Sequence, residues 1–573
     1  MNKKTLSLTL ALTMLFSTVV NVQLRGSLDY VGAAEGLTSQ ESQVVALVNG
    51  TNAYRYDSEL EKIALNHSVS GYSFRAGGSA GATATAMWLR DKLVGFGLDV
   101  SLESFDFTNW NLPSQPSLII DEDGDNSTNN DQTQMRSFQS EHYSWPTPEG
   151  GIFADLVVLR LPTASNFNDI GRNPINATLW NSIDTEGKIV LIGREVRWSR
   201  SWEQSFQTKL TAQPPAAVVY TWWYSWMSFC PPFFSSVGGR PPSSLGPYYW
   251  NLHVPAGWVN YEDGLHIRDR ESNFDVSAKA VIPSVVGSGP HYNVVGELQG
   301  NVNQSRFVIV SGHYDTVMTS GFVDNGAGAS AVLELARVFT KAAKEGLFKP
   351  DYSILFIGFA SEELGLVGSS NYVKQHKGEM EDIVAVINVD SIGSDNLYVT
   401  QTDSGKGFDL DELVQEAAAD LNTSATFYEQ GGSDQEAFRD PNMANSIYSE
   451  WWHGLSPGIS DAVPVKSSAM LVSFPLLYSD EWNRDSSGWI HTAYDNSTST
   501  QTLNWLKPDN LEEQIKVAAL SVMRVSQSSQ IVDGQPPFLL FLILGVAAAV
   551  VIVAVTVVYF VKVRKPPVKT VAQ

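Results

Sequence analysis

Acidic side chains and a histidine follow three apolar runs in the second half of the 573-residue sequence. Imidazole and carboxylate groups are suitable ligands for zinc and similar divalent ions. Carboxylates crowded at one place repel each other and raise each other's pKa unless a cation neutralises them. The three sets are His313 with Asp315, Glu362 with Glu363, and Asp390. If these sets meet in the fold, they predict a metal site, and their number favours two ions.

The apolar runs predict the scaffold that would bring these residues together. FVIV (307–310), SILFIGF (353–359) and IVAVINV (383–389) are continuous, as in strands buried on both faces of a parallel sheet. Helical patterns over 327–343 and 366–376 separate them, and this alternation indicates an α/β fold. Ligands of open α/β sheets bind beyond the carboxyl ends of the strands. We therefore expect a mostly parallel, twisted sheet with flanking helices and a metal site at its edge.

Asp324 lies after the first of these runs, at the start of a helix, and on its own it could be only an N-cap. A two-metal site needs a carboxylate that reaches both ions, roughly 3.5–4 Å apart. It also needs a carboxylate outside the ligand set as base for the attacking water. Glu362 and Glu363 can supply one ligand and one base, because adjacent side chains at a strand end point in different directions.

The sequence resembles the co-catalytic zinc exopeptidases, which include leucyl-type aminopeptidases, glutamate carboxypeptidase and transferrin-receptor-like proteins. The resemblance covers about 290–530 and extends to 73–105. Its motifs occur in the family's order, as GHYDT (312–316), DNGAG (324–328), ASEELGLVGS (360–369), NVDSIG (388–393) and IHTAYD (490–495). Five motifs in one order are specific, whereas a single His-x-Asp would not be.

The resemblance implies a role for each of these residues. It implies two Zn²⁺ ions, with ligands His313 and Asp390 for one, Glu363 and His491 for the other, and Asp324 between them. Glu362 would be the general acid/base, and Asp315 would hydrogen-bond His313 to fix its tautomer. Only the resemblance selects His491 over His453. Two features depart from the family pattern: the segment 431–435 has no tyrosine close before Ser433 as donor to the oxyanion, for which Tyr428 is a candidate, and Gln435 stands where many members have histidine.

An outward-facing aminopeptidase that removes N-terminal residues from peptides is the function that we expect. A carboxypeptidase of the same family is an alternative, and it would need cations to bind a terminal carboxylate. Cations are scarce between Ser391 and Ile490, where they are Lys406, Arg439, Lys466 and Arg484. A non-catalytic, receptor-like relative is a further alternative. The complete set of predicted ligands weighs against it, although fold alone would not decide.

The rest of the chain predicts a second, inserted unit over 150–285, between exopeptidase segments at 39–115 and 286–530. It resembles the smaller, β-rich protease-associated domain in GKIVLIGRE (187–195), AAVVY (216–220) and VPAGWVNYEDGLHI (254–267). Such a domain would orient access to the site without chemistry of its own. Its aromatic segment 222–250 is either a packed loop or a contact surface.

The two ends of the sequence predict a membrane-anchored protein. Residues 1–33 begin with basic residues before an apolar run, as in a signal peptide, with an N-terminal anchor helix as the alternative. The uncharged run 538–561 is long enough to form a transmembrane helix. Basic residues in the tail 562–573 favour a cytoplasmic location for that tail. We expect a single-pass protein of the cell membrane with an extracellular catalytic domain.

Composition excludes several other classes. The chain has 38 basic and 61 acidic residues, a net charge of −23, which argues against nucleic acid as a partner. The single cysteine, Cys230, excludes an internal disulfide and a four-cysteine metal site. The oligomeric state stays open.

Overall fold

The computed structural model of this chain describes residues 36–68, 74–122, 132–140, 144–159, 183–193, 212–221, 254–317, 319–400, 410–428, 432–439, 463–465, 467–473, 490 and 494–527. The predicted signal peptide (1–33), transmembrane helix (538–561) and tail (562–573) lie outside the described residues. So do His491, His453, Cys230 and the aromatic segment 222–250. Within the described ranges, no helix combines the length and apolarity needed to cross a membrane.

The first of two sheets contains the apolar runs that the sequence places in strands. Its eight strands, in spatial order, are β1 (Asp99–Asn111), β10 (Val285–Leu298), β12 (Tyr352–Phe359), β11 (Asn303–His313), β13 (Ile383–Val389), β16 (Ser468–Val472), β14 (Tyr398–Thr400) and β15 (Thr426–Tyr428). The four central strands β12, β11, β13 and β16 are parallel. β10 pairs antiparallel with β1 and with β12, and β14 pairs antiparallel with β16 and parallel with β15. The sheet is therefore mixed, with the predicted parallel arrangement at its centre.

The central strands are buried because helices cover the sheet. Every residue of β12 and β13 is buried, as expected for continuous apolar runs. The helices of this part are α1 (Ser39–Val45), α2 (Gly50–His67), α3 (Ala80–Phe96), α5 (Gly328–Lys344), α6 (Val367–Gln375), α7 (Leu410–Asp420), α8 (Gln435–Arg439), α9 (Thr500–Trp505) and α10 (Pro508–Gln527). The predicted helices over 327–343 and 366–376 correspond to α5 and α6 within a residue of each bound.

The start and end of α3 follow from its sequence. Ser79 caps the helix by accepting a hydrogen bond from the backbone N–H of Ala82. Gly97 ends it with a φ of 99°, a left-handed conformation that glycine adopts without a steric penalty. The apolar face of α3 packs on α2, α5 and β10, so the segment that contains 80–96 joins the same core as the later motifs.

The second sheet lies between β1 and β10 in the sequence. Its spatial order is β3 (Gln132–Gln134), β2 (Ser117–Asp121), β9 (Ser277–Val281), β5 (Ile152–Leu159), β6 (Ile189–Gly193), β7 (Ala217–Thr221), β8 (Ala256–Val259) and β4 (Gln139–Ser140), with α4 (Tyr261–Asn273) after β8. Pairing of β2 with β9 and of β4 with β8 brings residues 117–140 into this unit, ahead of the predicted start at 150. The insertion is thus β-rich, and its ends adjoin the paired strands β1 and β10.

Candidate metal centre

The strand order explains why the predicted residues meet. β11 lies between β12 and β13, and all three run in parallel, so their carboxyl ends lie at one edge. His313 is the last residue of β11 and pairs in register with Phe359, three residues before Glu362. Asp390 directly follows β13 on the other side. The histidine is therefore central, with a carboxylate delivered from each neighbouring strand.

The side chains that meet at this edge form two potential ligand groups. His313 Nε2 lies 3.2 Å from Asp324 Oδ1, 3.5 Å from Asp390 Oδ2 and 3.8 Å from Glu362 Oε2. In the described residues, one group of possible metal ligands is His313, Asp324 and Asp390, and the other is His313, Glu362 and Glu363. Asp390 is the most exposed of these carboxylates, with 14% of its side chain accessible, so the cluster opens to solvent on that side.

Asp324 reaches the cluster through the connection between β11 and α5 rather than from a strand end. It lies in the turn 322–327, with an extended backbone (φ −112°, ψ 99°) and a cis peptide bond to Asn325. Asn325 joins this turn to the end of β13. Its Oδ1 accepts hydrogen bonds from the backbone N–H of Gly328 at 2.8 Å and of Ser391 at 3.0 Å, and its Nδ2 donates to the carbonyl of Val389 at 3.0 Å. The positions of Asp324 and Asp390 are thus linked by one amide side chain.

Asp315 contacts both the histidine and the glutamate turn. Its carboxylate accepts hydrogen bonds from the backbone N–H of Glu362 at 2.9 Å and of Glu363 at 3.3 Å. Its Oδ1 lies 3.6 Å from His313 Nδ1, and the closer contact of that nitrogen, at 3.2 Å, is with the backbone carbonyl of Asp315. The residue therefore fixes the imidazole largely through its own backbone, while its carboxylate positions the glutamates.

The protein groups alone create strong electrostatic coupling at this edge. Burial raises the pKa of Glu362 well above its ordinary value; His313 opposes this, and Glu363 and Asp390 add to it. Burial by itself would lower the pKa of His313, but the carboxylates of Asp390 and Glu362 outweigh it and raise that pKa well above the usual range. Burial also raises the pKa of Asp434 to about 7. A divalent cation would relieve this repulsion, and imidazole with carboxylates is a donor set that suits zinc.

A buried arginine supports the loop behind the cluster. Arg75 donates hydrogen bonds to the carbonyls of Tyr314 at 2.9 Å, Ser320 at 2.8 Å and Gly321 at 3.0 Å. These carbonyls belong to the segment that connects His313 to Asp324. Arg75 has no exposed surface, and buried carboxylates, Asp57 foremost, interact with its charge. The N-terminal segment thus fixes the backbone on which two of the proposed ligands lie.

Asp495 links this segment to the last motif of the chain. Its carboxylate accepts a hydrogen bond from the backbone N–H of Val323 at 2.6 Å and of Asp324 at 3.3 Å. Asp495 lies four residues after His491, which is outside the described residues. The structure therefore brings together six of the seven predicted site residues, and it places the end of the motif that contains the seventh beside Asp324.

Sequence reasoning did not assign roles to Arg75, Asn325 or Asp495. All three stand inside motifs that carried the resemblance, at SFRAGG, DNGAG and IHTAYD. An arginine or asparagine that bonds backbone carbonyls leaves no periodic pattern. Asn325 directly follows a predicted ligand, Asp324, and this adjacency was a signal for that residue alone of the three.

Comparison with known proteins finds one family model that matches this core. Residues 293–516 match the sequence model of peptidase family M28. Leucine aminopeptidase 2 of Trichophyton equinum is 28% identical over 274 residues, which are 48% of this chain and 48% of that relative. Probable glutamate carboxypeptidase LAMP1 of Arabidopsis thaliana is 31% identical over 176 residues, 29% of this chain and 25% of that relative. The chain thus matches about half the length of the leucine aminopeptidase and a quarter of the carboxypeptidase.

A solved structure supports the fold over most of the chain. BSAP, a zinc aminopeptidase from Bacillus subtilis, superposes with a TM-score of 0.55, covering 84% of this chain and 96% of that one at 19% identity. At that identity the likeness concerns the fold alone. Together with the family match, it confirms the predicted resemblance to the zinc exopeptidases.

Proposed function

We propose that this protein, whose residues 293–516 match peptidase family M28, is a zinc-dependent aminopeptidase that removes N-terminal residues from peptides. The observation that carries the proposal is the convergence of His313, Asp324, Asp390 and the Glu362–Glu363 pair on one sheet edge. The pattern is that of a hydrolytic metal site, with a ligand set and an additional carboxylate.

Two zinc ions fit the donors in number and type. His313 and Asp390 would bind one ion, Glu363 and His491 the other, and Asp324 would contact both. His313 belongs to both groups of possible ligands, so the ligand atoms of all four carboxylates lie within 4.8 Å of this histidine. When bound, zinc lowers the pKa of a coordinated water and polarises a carbonyl.

Glu362 is the residue that would transfer protons. Its raised pKa suits a group that first accepts a proton from the attacking water and later donates one to the leaving amine. It lies on the turn whose backbone N–H groups Asp315 binds. The position of its carboxylate therefore does not depend on binding an ion. The tetrahedral oxyanion would need a donor besides the metal, and Tyr428, at the end of β15, is the candidate.

The charge around the cluster favours an aminopeptidase over the carboxypeptidase alternative. A substrate ammonium is attracted by carboxylates, whereas a terminal carboxylate needs free cations. Of the four cations that the sequence has between Ser391 and Ile490, Arg439 lies in the described residues, and its Nη2 donates a hydrogen bond to Glu436 at 2.6 Å. Lys406, Lys466 and Arg484 lie outside them. Within the part of the chain that the structure describes, the possible metal ligands other than His313 are all carboxylates.

The location of the protein in the cell membrane and the role of its inserted domain are part of the same proposal. The signal peptide (1–33), transmembrane helix (538–561) and tail (562–573) would anchor the chain in the cell membrane with its catalytic domain outside. The inserted sheet between β1 and β10 would be a protease-associated domain that orients substrate access. Its β-rich order and its insertion between two paired strands support this assignment.

Hydrolysis of amino-acid p-nitroanilides by the full chain tests the activity. We expect release of nitroaniline that a chelator abolishes and added Zn²⁺ restores, with two zinc ions per chain by elemental analysis. Cleavage of N-blocked peptides at their C-terminus, with no activity on free-amine substrates, would establish the carboxypeptidase instead. A zinc-loaded chain that hydrolyses neither type would favour the receptor-like alternative.

A further inference from the structure

A buried chain of hydrogen bonds reaches the glutamate turn from β1 and β10. His291, on β10, is 3% exposed. Its Nδ1 lies 2.6 Å from the hydroxyl oxygen of Ser361, and its Nε2 lies 2.6 Å from Oδ1 of Asn109 on β1. Ser361 directly precedes Glu362. One imidazole therefore joins the edge pair of the sheet to the residue before the proposed base.

The donor and acceptor roles in this chain follow from its chemistry. The amide oxygen of Asn109 can only accept, so Nε2 of His291 carries the hydrogen on that side. In the neutral imidazole, Nδ1 is then the acceptor, and the hydroxyl of Ser361 donates to it. Each polar atom of the three side chains in these contacts has a partner of the right kind, which defines both the ring orientation and the hydroxyl rotamer.

Ser361 has a backbone that needs such support. Its φ of 60° and ψ of 37° lie in the left-handed region, which a residue with a β-carbon adopts at a cost of roughly 1–2 kcal/mol. Surrounding contacts must therefore hold it there. The space is closely filled, since a β-carbon added at Gly77 would lie 2.8 Å from the Ser361 hydroxyl oxygen. The turn 362–364 starts from this residue, so its conformation determines where both glutamates point.

A nucleophilic role for this serine and histidine is excluded by burial. Ser361 has no exposed surface, and the ring of His291 packs against Phe105 and Phe107 with centroids 5.5 and 5.8 Å apart. A substrate cannot reach the hydroxyl, although serine, histidine and asparagine would suit such chemistry in an open site. The hydrogen bond between Ser361 and His291 can therefore affect Glu362 and Glu363 by holding the backbone that precedes them.

We propose that His291 is a positioning residue for Glu362 and Glu363 and acts through the hydroxyl of Ser361. The turn is then held at two points. Asp315 binds the backbone N–H groups of the glutamates, and His291 fixes the residue before them. The consequence for catalysis rests on the proposed aminopeptidase function, whereas the consequence for metal binding at Glu363 does not.

Two substitutions of the histidine separate its contacts. Asparagine can place its amide oxygen near the position of Nδ1, where it accepts from the Ser361 hydroxyl, so His291→Asn keeps a partner for Ser361 and loses the contact with Asn109. Glutamine reaches the position of Nε2, so His291→Gln keeps the contact with Asn109 and loses Ser361. We expect His291→Gln and Ser361→Ala to lower kcat roughly 10- to 100-fold, with KM within about twofold. His291→Asn should retain most of the activity.

Zinc titration of the metal-free full chain gives a readout that does not depend on peptide hydrolysis. The affinity for the second zinc ion should fall roughly 10- to 100-fold in His291→Gln and Ser361→Ala, and little in His291→Asn. The double variant His291→Gln/Ser361→Ala should bind zinc with about the affinity of whichever single variant binds it less tightly. Both substitutions remove the same hydrogen bond, so their losses should not add. His376→Gln, which removes a histidine paired with Glu103 and Glu379, is the matched control and should bind zinc normally.

Equal effects of His291→Asn and His291→Gln would overturn the proposal, and so would losses that multiply in the double variant. Ser361→Ala removes a single oxygen atom and keeps the backbone cost unchanged, so it remains informative if a histidine variant unfolds. A wild-type chain that binds zinc yet hydrolyses no peptide would contradict the proposed function, and the titration would still decide the role of His291.

Discussion

The carboxylate of Asp315 accepts a hydrogen bond from the backbone N–H of Glu362 at 2.9 Å while lying 3.6 Å from Nδ1 of His313. It therefore touches the ends of two neighbouring strands, one bearing a proposed ligand and the other the proposed base. Such outer contacts orient the groups that bind the metal and tune their basicity. The aspartate thus couples the geometry of the histidine to that of the glutamate pair.

Replacing this carboxylate by an amide should weaken metal binding and catalysis together. Asp315→Asn keeps the shape but removes the charge, and only one of its two atoms can accept from a backbone N–H. We expect kcat/KM and zinc affinity each to fall about 10- to 100-fold. The exposed Asp395, which bonds Lys507 at the surface, supplies the control Asp395→Asn. Wild-type zinc binding in Asp315→Asn would contradict the positioning role.

The two adjacent glutamates should give opposite phenotypes when changed to glutamine. Glu362→Gln cannot accept the proton of the attacking water, so we expect a loss of about 10²- to 10⁴-fold in kcat with zinc content retained. Glu363→Gln removes a charged ligand, so the chain should lose one zinc ion per molecule. Activity assays and elemental analysis of the two variants check this. Loss of metal in Glu362→Gln with retention in Glu363→Gln would show that the two roles are exchanged.

The cluster could be predicted from the sequence because the strands that carry it are continuous apolar runs, and the predicted ligands follow directly at their ends. β12 and β13 are buried along their whole length, so their bounds were clear, and parallel pairing places His313, Glu362 and Asp390 at one edge. Asp324 could not be separated from a helix N-cap by pattern alone. Its place depends on Asn325, which joins the turn to Val389 of β13, and on Asp495 of the last motif, which accepts a hydrogen bond from the backbone of Asp324.

The residues that support the site escaped prediction for a physical reason. His291 and Asn109 belong to strands from opposite sides of the insertion, 182 positions apart. No local periodicity connects such residues, since their contact arises from the antiparallel register of β1 and β10. The start of the inserted unit escaped for the same reason, because the pairing of β2 with β9 spans the whole insertion.

Removal of the buried guanidinium should destabilise the loop between His313 and Asp324. Arg75→Met leaves the carbonyls of Tyr314, Ser320 and Gly321 without their donor and removes a cation whose charge interacts with the buried Asp57. Breaking a buried charge interaction on one side costs about 3–5 kcal/mol. We expect a lower thermal midpoint and reduced zinc binding.

Arg55→Met is the matched control for this loss. Arg55 is 55% exposed in its side chain and pairs with Glu59 one helical turn away, an interaction worth less than about 1 kcal/mol. Its thermal midpoint should match that of the wild type. Equal midpoints for Arg75→Met and Arg55→Met would mean that the buried arginine does not hold the loop.

His376, just after α6, should make the stability of the chain depend on pH at alkaline values. The hydrogen bond with Glu103 raises its pKa to about 9; burial opposes this, and Glu379 adds to it. A histidine whose folded pKa exceeds the unfolded value of about 6.5 stabilises the fold fully below that unfolded value. The stabilisation is lost as pH rises through about 9, because the folded state then releases the proton.

Thermal unfolding of the wild type and His376→Gln at several pH values measures this contribution. The wild type should have the higher midpoint at pH 6, and the difference should shrink steadily between about pH 7 and 10. Glu103→Gln removes the main cause of the raised pKa and should shift the pH dependence downward. The ring also stacks on Tyr372 at 4.3 Å, a contact that does not titrate over this range. A midpoint difference that is constant from pH 6 to pH 10 would therefore assign the effect of His376 to stacking, and not to its charge.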